Sequence, residues 1–206
     1  DIDPDKLGPV ADATRELIAH HGFGATVEET IDRRAALDGA DIVIITFQVG
    51  GVESYRHDVE IPRKYGIDQT VGDTVGPGGV FRFLRSVPAY DEVAADALEV
   101  CPDATFINYA NPMAMATAYL NAKGLRTVGL CHSVQGTTRM LARTLGVPYE
   151  EVSYRCAGIN HQAWILEFMH GQQDLYPRMR EVMAATHQRG RGAARRAAAP
   201  PAERGP

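Results

Sequence analysis

Three short apolar runs restrict this chain's fold more than anything else in it: Asp41-Ile42-Val43-Ile44-Ile45-Thr46-Phe47, Thr105-Phe106-Ile107-Asn108-Tyr109 and Thr127-Val128-Gly129-Leu130. The first is β-branched and apolar at consecutive positions, the pattern of a strand covered on both faces. Helix-like stretches surround the runs, over 4–20, 28–38, 91–100, 112–122 and 134–145. Short strands alternating with helices mark a parallel α/β sheet. Pro112 stands where a first helical turn tolerates proline, and Gly124 and Gly146 stand where helices stop.

Two segments fall outside this alternation. Val71-Gly72-Asp73-Thr74-Val75-Gly76-Pro77-Gly78-Gly79 holds four Gly and one Pro in nine residues. It is expected to be no regular element but a loop, either over a site or as a plain connection. Beyond residue 150 the pattern changes. Val152 to His161 and Trp164 to Phe168 read as antiparallel strands opening a second domain. Residues 187–206 belong to neither part, since seventeen of the twenty are Arg, Ala, Gly or Pro and none is a large apolar residue. Such a tail cannot offset its ordering entropy by burial and is expected to be disordered. Because those four residues have GC-rich codons, it is read as an out-of-frame translation starting near residue 187, against the alternative of a genuine low-complexity tail.

Composition removes several classes of function. At 45% hydrophobic and 23% charged the chain is an ordinary soluble globular one, and no apolar run approaches the ~20 residues that span a bilayer. Residues 1–186 carry 16 basic and 25 acidic side chains, so nucleic acid is not the expected partner. Cys101, Cys131 and Cys156 are few, odd in number and widely spaced. A cytoplasmic, reduced protein is therefore expected, with neither a disulfide framework nor a secretion signal. The opening Asp1-Ile2-Asp3-Pro4-Asp5 lacks a Met, and upstream sequence is read as missing.

The candidate functional residues each have two readings. Asp1 or Asp3, before a helix, could hydrogen-bond the ribose of a dinucleotide or simply cap the helix. The glycine fingerprint that should precede such an acid by about 20 residues does not occur here. Asn111, in Asn108-Tyr109-Ala110-Asn111-Pro112, follows a strand and could bind sugar hydroxyls or serve turn chemistry. Cys131 could be a small buried hydrophobe or a thiolate metal ligand, with His132 beside it as acid or base. His161 could be structural or a ligand, and its spacing from Cys131 is no zinc signature.

Taken in order, five stretches narrow these choices: Phe47-Gln48-Val49-Gly50-Gly51, Asp73 to Gly79, Asn108 to Met115, Gly129-Leu130-Cys131-His132-Ser133-Val134-Gln135-Gly136 and Cys156-Ala157-Gly158-Ile159-Asn160-His161. With them the chain resembles glycoside hydrolase family 4, the NAD-dependent glycosidases, in its α-galactosidase and α-glucosidase branch. The resemblance implies an α/β fold with a Rossmann-like doubly wound parallel sheet lacking its first strand. Residues 1–150 would be a partial NAD-binding domain and 151–186 the beginning of a catalytic domain. It implies NAD and a divalent metal, usually manganese, with Cys131 and His161 as the metal's protein ligands and Asn111 as a sugar-hydroxyl binder. Asp73 would be the acid that raises the basicity of a catalytic tyrosine, and His132 would hold the place of a general acid. The implied chemistry is oxidation at C3 by NAD+, loss of the acidified C2 proton, elimination of the glycosidic oxygen, addition of water and return of hydride.

Two departures qualify the resemblance. Where the phospho-glycosidase branch grips phosphate with an arginine, this chain has Tyr55, with Arg56 next to it, which favours unphosphorylated α-glycosides. The family's catalytic base would lie beyond residue 206, so the chain is read as a fragment, inactive alone, of a parent expected to be a homo-oligomer. The competing readings are a lactate- or malate-dehydrogenase-like oxidoreductase, which needs no metal, and a non-catalytic remnant.

Overall fold

The structure, a computed structural model, describes residues 2–69 and 72–185. The expected disordered, out-of-frame tail at 187–206 and Asp1 lie outside the described residues. The chain forms two compact units that divide between Cys131 and His132. Among the described residues no helix is long and apolar enough to cross a membrane.

The first unit is built on three parallel strands, β1 (Ile42–Ile45), β2 (Thr105–Asn108) and β3 (Arg126–Gly129), in spatial order β1-β2-β3. Around them run α1 (Pro4–His21), α2 (Arg33–Leu37), α3 (Gly51–Lys64), α4 (Gly76–Val100) and α5 (Met113–Ala122). Register aligns Val43 with Phe106 and Phe106 with Thr127. This face is buried: Phe106 packs with Ile45, Tyr90, Ala94, Ala97, Ala116 and Leu120 in one core. Tyr90, fully buried, packs its ring between Phe47 beyond β1 and Phe83 on its own helix. The sheet is parallel, as the strand pattern predicts, and fits the Rossmann-like sheet that the resemblance implies. Its opposite face differs from expectation, because Ile42 and Ile44 are 62% and 61% exposed. β1 is covered on one side only by the described residues.

The helices depart from the sequence reading in three places. The helix expected over 28–38 is reduced to Arg33–Leu37, capped by the Asp32 side chain at the amides of Arg34 and Ala35. The helix over 51–64 has no clear apolar stripe to announce it in the sequence. The third difference matters most: Gly76–Gly79, expected to be loop, is the first turn of the 25-residue α4. Pro77 occupies a first-turn position where its missing N–H leaves nothing unsatisfied. Gly78 and Gly79 are buried, and a Cβ on Gly78 would lie well inside contact of the carbonyl oxygens of Asp58 and Gly72. A Cβ on Gly79 would come within 2.8 Å of the Thr74 carbonyl carbon. Here glycine permits backbone contact rather than flexibility.

The second unit joins α6 (Ser133–Leu145), a 3-10 turn (Tyr149–Glu151), the antiparallel strands β4 (Val152–Ile159), β5 (Gln162–His170) and β6 (Gln173–Asp174), and a helix over 176–185. The boundary expected at 150 would assign α6 to the dinucleotide-binding part. The helix packs instead with the antiparallel strands, because Leu141, Ala142 and Leu145 share a core with Phe168 and Leu175.

The glycine argument is directly testable by denaturation. Gly78→Ala should lower the stability of the first unit by about 1–3 kcal/mol, since backbone must shift. Gly8→Ala in α1, where a Cβ meets nothing within 4 Å, should raise it by about 0.5–1 kcal/mol. Equal effects at the two positions would show that the close approach at Gly78 does not matter.

Candidate active site

Parallel strands present their carboxyl ends at one edge, and a ligand crevice forms there. Asn111 follows β2 and Cys131 follows β3 at this edge. The turn carrying Asn111 is held from inside by Asn108, which is fully buried. Asn108 Oδ1 accepts from the Ala110 amide at 3.1 Å, and its Nδ2 donates to the carbonyl of Ala110 at 3.2 Å. A buried amide with both ends satisfied fixes the path of the chain past the strand.

Asp73 and Asn111, 38 positions apart, meet in this unit. Asn111 Nδ2 donates to Asp73 Oδ2 at 2.9 Å, and Thr74 Oγ1 donates to Asp73 Oδ1 at 3.1 Å. A third residue that the sequence reading does not single out completes the cluster. Arg82, only 8% exposed, donates from Nε to the Asn111 carbonyl at 3.1 Å, with Nη1 3.9 Å from Asp73 Oδ2. One turn further along α4, Arg85 forms a two-pronged pair with Asp58 of α3, at 3.1 and 2.5 Å. Arg85 Nε also donates to the Val49 carbonyl at 3.2 Å, which anchors the turn after β1. The Asp58 carboxylate holds the Arg85 guanidinium above its ordinary pKa. Gln69 ties the same parts together, donating to the Asp58 carbonyl and accepting from the Gly78 amide at 2.9 Å. The available sequence signal is Arg82 and Arg85 three positions apart, the spacing of one helix face. It carries no meaning while Gly76–Gly79 is expected to be a loop.

Asp3, Cys131, His132 and His161 complete the set of sequence candidates among the described residues. Asp3 caps α1, accepting from the Asp5 amide at 3.1 Å and pairing with Lys6 at 2.8 Å. The Lys6 hydrogen bond holds its carboxyl below the ordinary value. Cys131 is exposed, so it is not a small buried hydrophobe. In the second unit His132 immediately precedes α6, and Ser133 Oγ lies 3.2 Å from His161 Nε2. His161 occupies the β4–β5 turn with φ 61, and beside it Asn160 Oδ1 is buried with no partner among the described residues. Among the described residues no group of three or more His, Cys, Asp or Glu is placed to hold a metal. On α3, Arg56 lies 3.5 and 3.6 Å from Glu53 and Glu60, next to a partly exposed Tyr55.

Comparison with known proteins gives this edge a context. Residues 1–147 match the model of the family 4 glycosyl hydrolases, and residues 156–203 match the model of that family's C-terminal domain. The chain is 44% identical over 182 residues to an alpha-galactosidase of Bacillus subtilis, covering 87% of this chain and 42% of the relative. It therefore spans less than half the length of that curated relative. Among solved structures, the 6-phospho-beta glucosidase of Thermotoga maritima with manganese, NAD+ and glucose-6-phosphate superposes at a TM-score of 0.76 with 26% identity. That match covers 89% of this chain and 44% of the other. Lactate dehydrogenase of Eimeria maxima, with NADH and oxamate, gives a TM-score of 0.63 at 17% identity over 88% of this chain and 51% of its own. This last likeness is one of fold alone.

The buried pair of α3 and α4 yields a stability test. Arg85→Met leaves Asp58, 4% exposed, as an unpaired buried charge and should cost about 3–5 kcal/mol in urea unfolding. Asp58→Leu combined with Arg85→Met should recover much of that loss, since no charge is then stranded. Additive losses in the double variant would show that the two side chains act separately.

Proposed function

The chain belongs to the family 4 glycosyl hydrolases, and from that premise we propose that it forms the NAD-binding part and the start of the catalytic part of an NAD- and metal-dependent α-glycosidase. The observation that carries this reading is the hydrogen bond between Asp73 and Asn111 at the carboxyl edge of the family's parallel sheet. A carboxylate and a carboxamide at a sheet's ligand edge are hydrogen-bonding groups suited to a polyhydroxylated substrate.

The proposed substrate is an unphosphorylated α-galactoside or α-glucoside. Tyr55 offers no cation for a phosphate, and Arg56 lies beside Glu53 and Glu60. The 44% identity to an alpha-galactosidase points the same way. Asn111 binds a sugar hydroxyl, and His132, beside the candidate metal ligand Cys131, delivers a proton to the leaving oxygen. Asp1 and Asp3 are the candidates for the ribose of NAD. Asp3 would have to share its carboxylate between the helix cap and that ribose.

The candidate metal ligands are Cys131 and His161. An exposed thiol and an imidazole suit borderline divalent ions such as Mn2+. The orphaned acceptor Asn160 Oδ1 beside His161 fits a hydrated cation, whose waters are donors. When bound, the metal supplies Lewis acidity and NAD supplies a hydride acceptor. A working thiol of this kind belongs in a reducing cytoplasm. The dehydrogenase alternative has no use for Cys131 or His161 and rests on fold likeness only.

Two measurements test the proposal. The chain should quench the free-ion electron paramagnetic resonance of Mn2+, and Cys131→Ser or His161→Ala should remove most of that binding while NAD+ binding persists. Grafted in place of the matching segment of the B. subtilis alpha-galactosidase, residues 1–186 should support hydrolysis of p-nitrophenyl α-galactoside only with both NAD+ and Mn2+. Turnover that survives exhaustive chelation, or that Cys131→Ser leaves intact, would sink the metal assignment.

A further inference from the structure

The side-chain amide of asparagine has two nearly isosteric ends, one donating and one accepting, and its surroundings decide which way it points. At Asn111 the surroundings leave no choice. An ionised carboxylate only accepts, so the atom 2.9 Å from Asp73 Oδ2 must be Nδ2. Turning the amide over would set two acceptors against each other in a half-buried site and forfeit a charge-assisted bond. Asp73 itself is restrained, because Thr74 Oγ1 donates to its other oxygen.

The backbone of Asn111 is held as well. Arg82 reaches from the second turn of α4 to its carbonyl oxygen. An arginine buried this deeply is costly unless its charge and its donors are used. The partners that the structure gives it are the Asn111 carbonyl and, at longer range, the Asp73 carboxylate. The side chain and the backbone of one asparagine are therefore fixed by two residues from the glycine-rich segment and the helix it begins.

We propose that Asp73 and Arg82 are positioning residues that lock Asn111 with Nδ2 turned inward and Oδ1 left as the acceptor for a hydroxyl of the sugar. This rests on the glycosidase reading for its substrate, though the lock itself does not. Oδ1 accepts from no described residue, and a hydroxyl can donate to it where a ketone or phosphate oxygen cannot. The pair thus makes the subsite read a free hydroxyl, and gives Asp73 a role exerted through Asn111.

The lock can be read on the full chain without sugar, cofactor or metal. In a labelled sample, the Asn111 Nδ2 proton that is bonded to Asp73 should exchange with solvent at least about tenfold more slowly than a side-chain amide proton of asparagine in an unstructured peptide, as expected for a bond to a charged group. Asp73→Ala should remove that protection, and Arg82→Met should reduce it while Arg82→Lys restores part of it. Backbone amides of Phe106 and Ile107 serve as the control and should exchange as in the unsubstituted chain. An unprotected Asn111 amide, or protection that survives Asp73→Ala in a folded chain, overturns the proposal. In the grafted enzyme, Asp73→Ala should lower kcat/KM when Asn111 is present and add nothing to Asn111→Ala, whereas multiplying losses would mean that Asp73 acts elsewhere. A graft that hydrolyses nothing would count against the glycosidase reading and leave the exchange result standing.

Discussion

The close approach of α4's first turn to α3 and to residues 72–74 governs the rest of the first unit. Gly78 and Gly79 make it possible, since any side chain there would strike the carbonyls of Asp58, Gly72 or Thr74. Glycine in a helix interior costs roughly 0.5–1 kcal/mol against alanine. Two of them at a helix start are tolerable where backbone contact returns dispersion and hydrogen bonds, as Gly78 N does to Gln69 Oε1. From that contact α4 takes its direction. Arg82 is then aimed at Asn111 and Arg85 at Asp58.

The charges in this region are arranged in two steps of one helix. Arg85 and Asp58 form a pair with two short contacts, which satisfies the carboxylate on α3 and leaves Nε for Val49. Arg82 and Asp73 lie 3.9 Å apart, too far for a hydrogen bond, and each spends its nearest contact on Asn111. The first arrangement is suited to holding two helices together. The second is suited to holding an asparagine, with enough slack in the ion pair for the carboxylate to serve its amide.

Sequence alone makes the sheet legible because its strands are short, apolar and bounded by helical stretches, and periodicity reports that directly. Asn111 and Cys131 are legible for a related reason, as residues just past strand ends are at the ligand edge by topology. The start of α4 is not legible. Four glycines and a proline argue for a loop by propensity, and only the tertiary contact at Gly78 and Gly79 reverses that preference. Arg82 is hidden for the same reason, since its alignment with Arg85 exists only on a helix. The packing of α6 with the second unit is not legible either, because α6 has the length and spacing of a crossover helix. Its partner surface, Phe168 and Leu175, lies more than twenty residues downstream of it.

His161 sits in a backbone conformation that local stability alone does not favour in the second unit. Ile159 pairs with Gln162, which leaves Asn160-His161 as a two-residue hairpin turn. Such turns favour positive φ, and the residue that adopts it without strain is glycine. Histidine takes φ 61 here, a conformation disfavoured by roughly 1–2 kcal/mol for a residue with a Cβ. Glycine would give the more stable hairpin. What histidine adds is an imidazole on a short connection, with Nε2 3.2 Å from Ser133 Oγ, and the residue before it in the chain, Asn160, carries a buried acceptor. A strained histidine following an asparagine with an unsatisfied buried oxygen is poor design for a hairpin, and such local costs persist where the surrounding structure over-determines them, which is what the proposed ligand role of His161 would require.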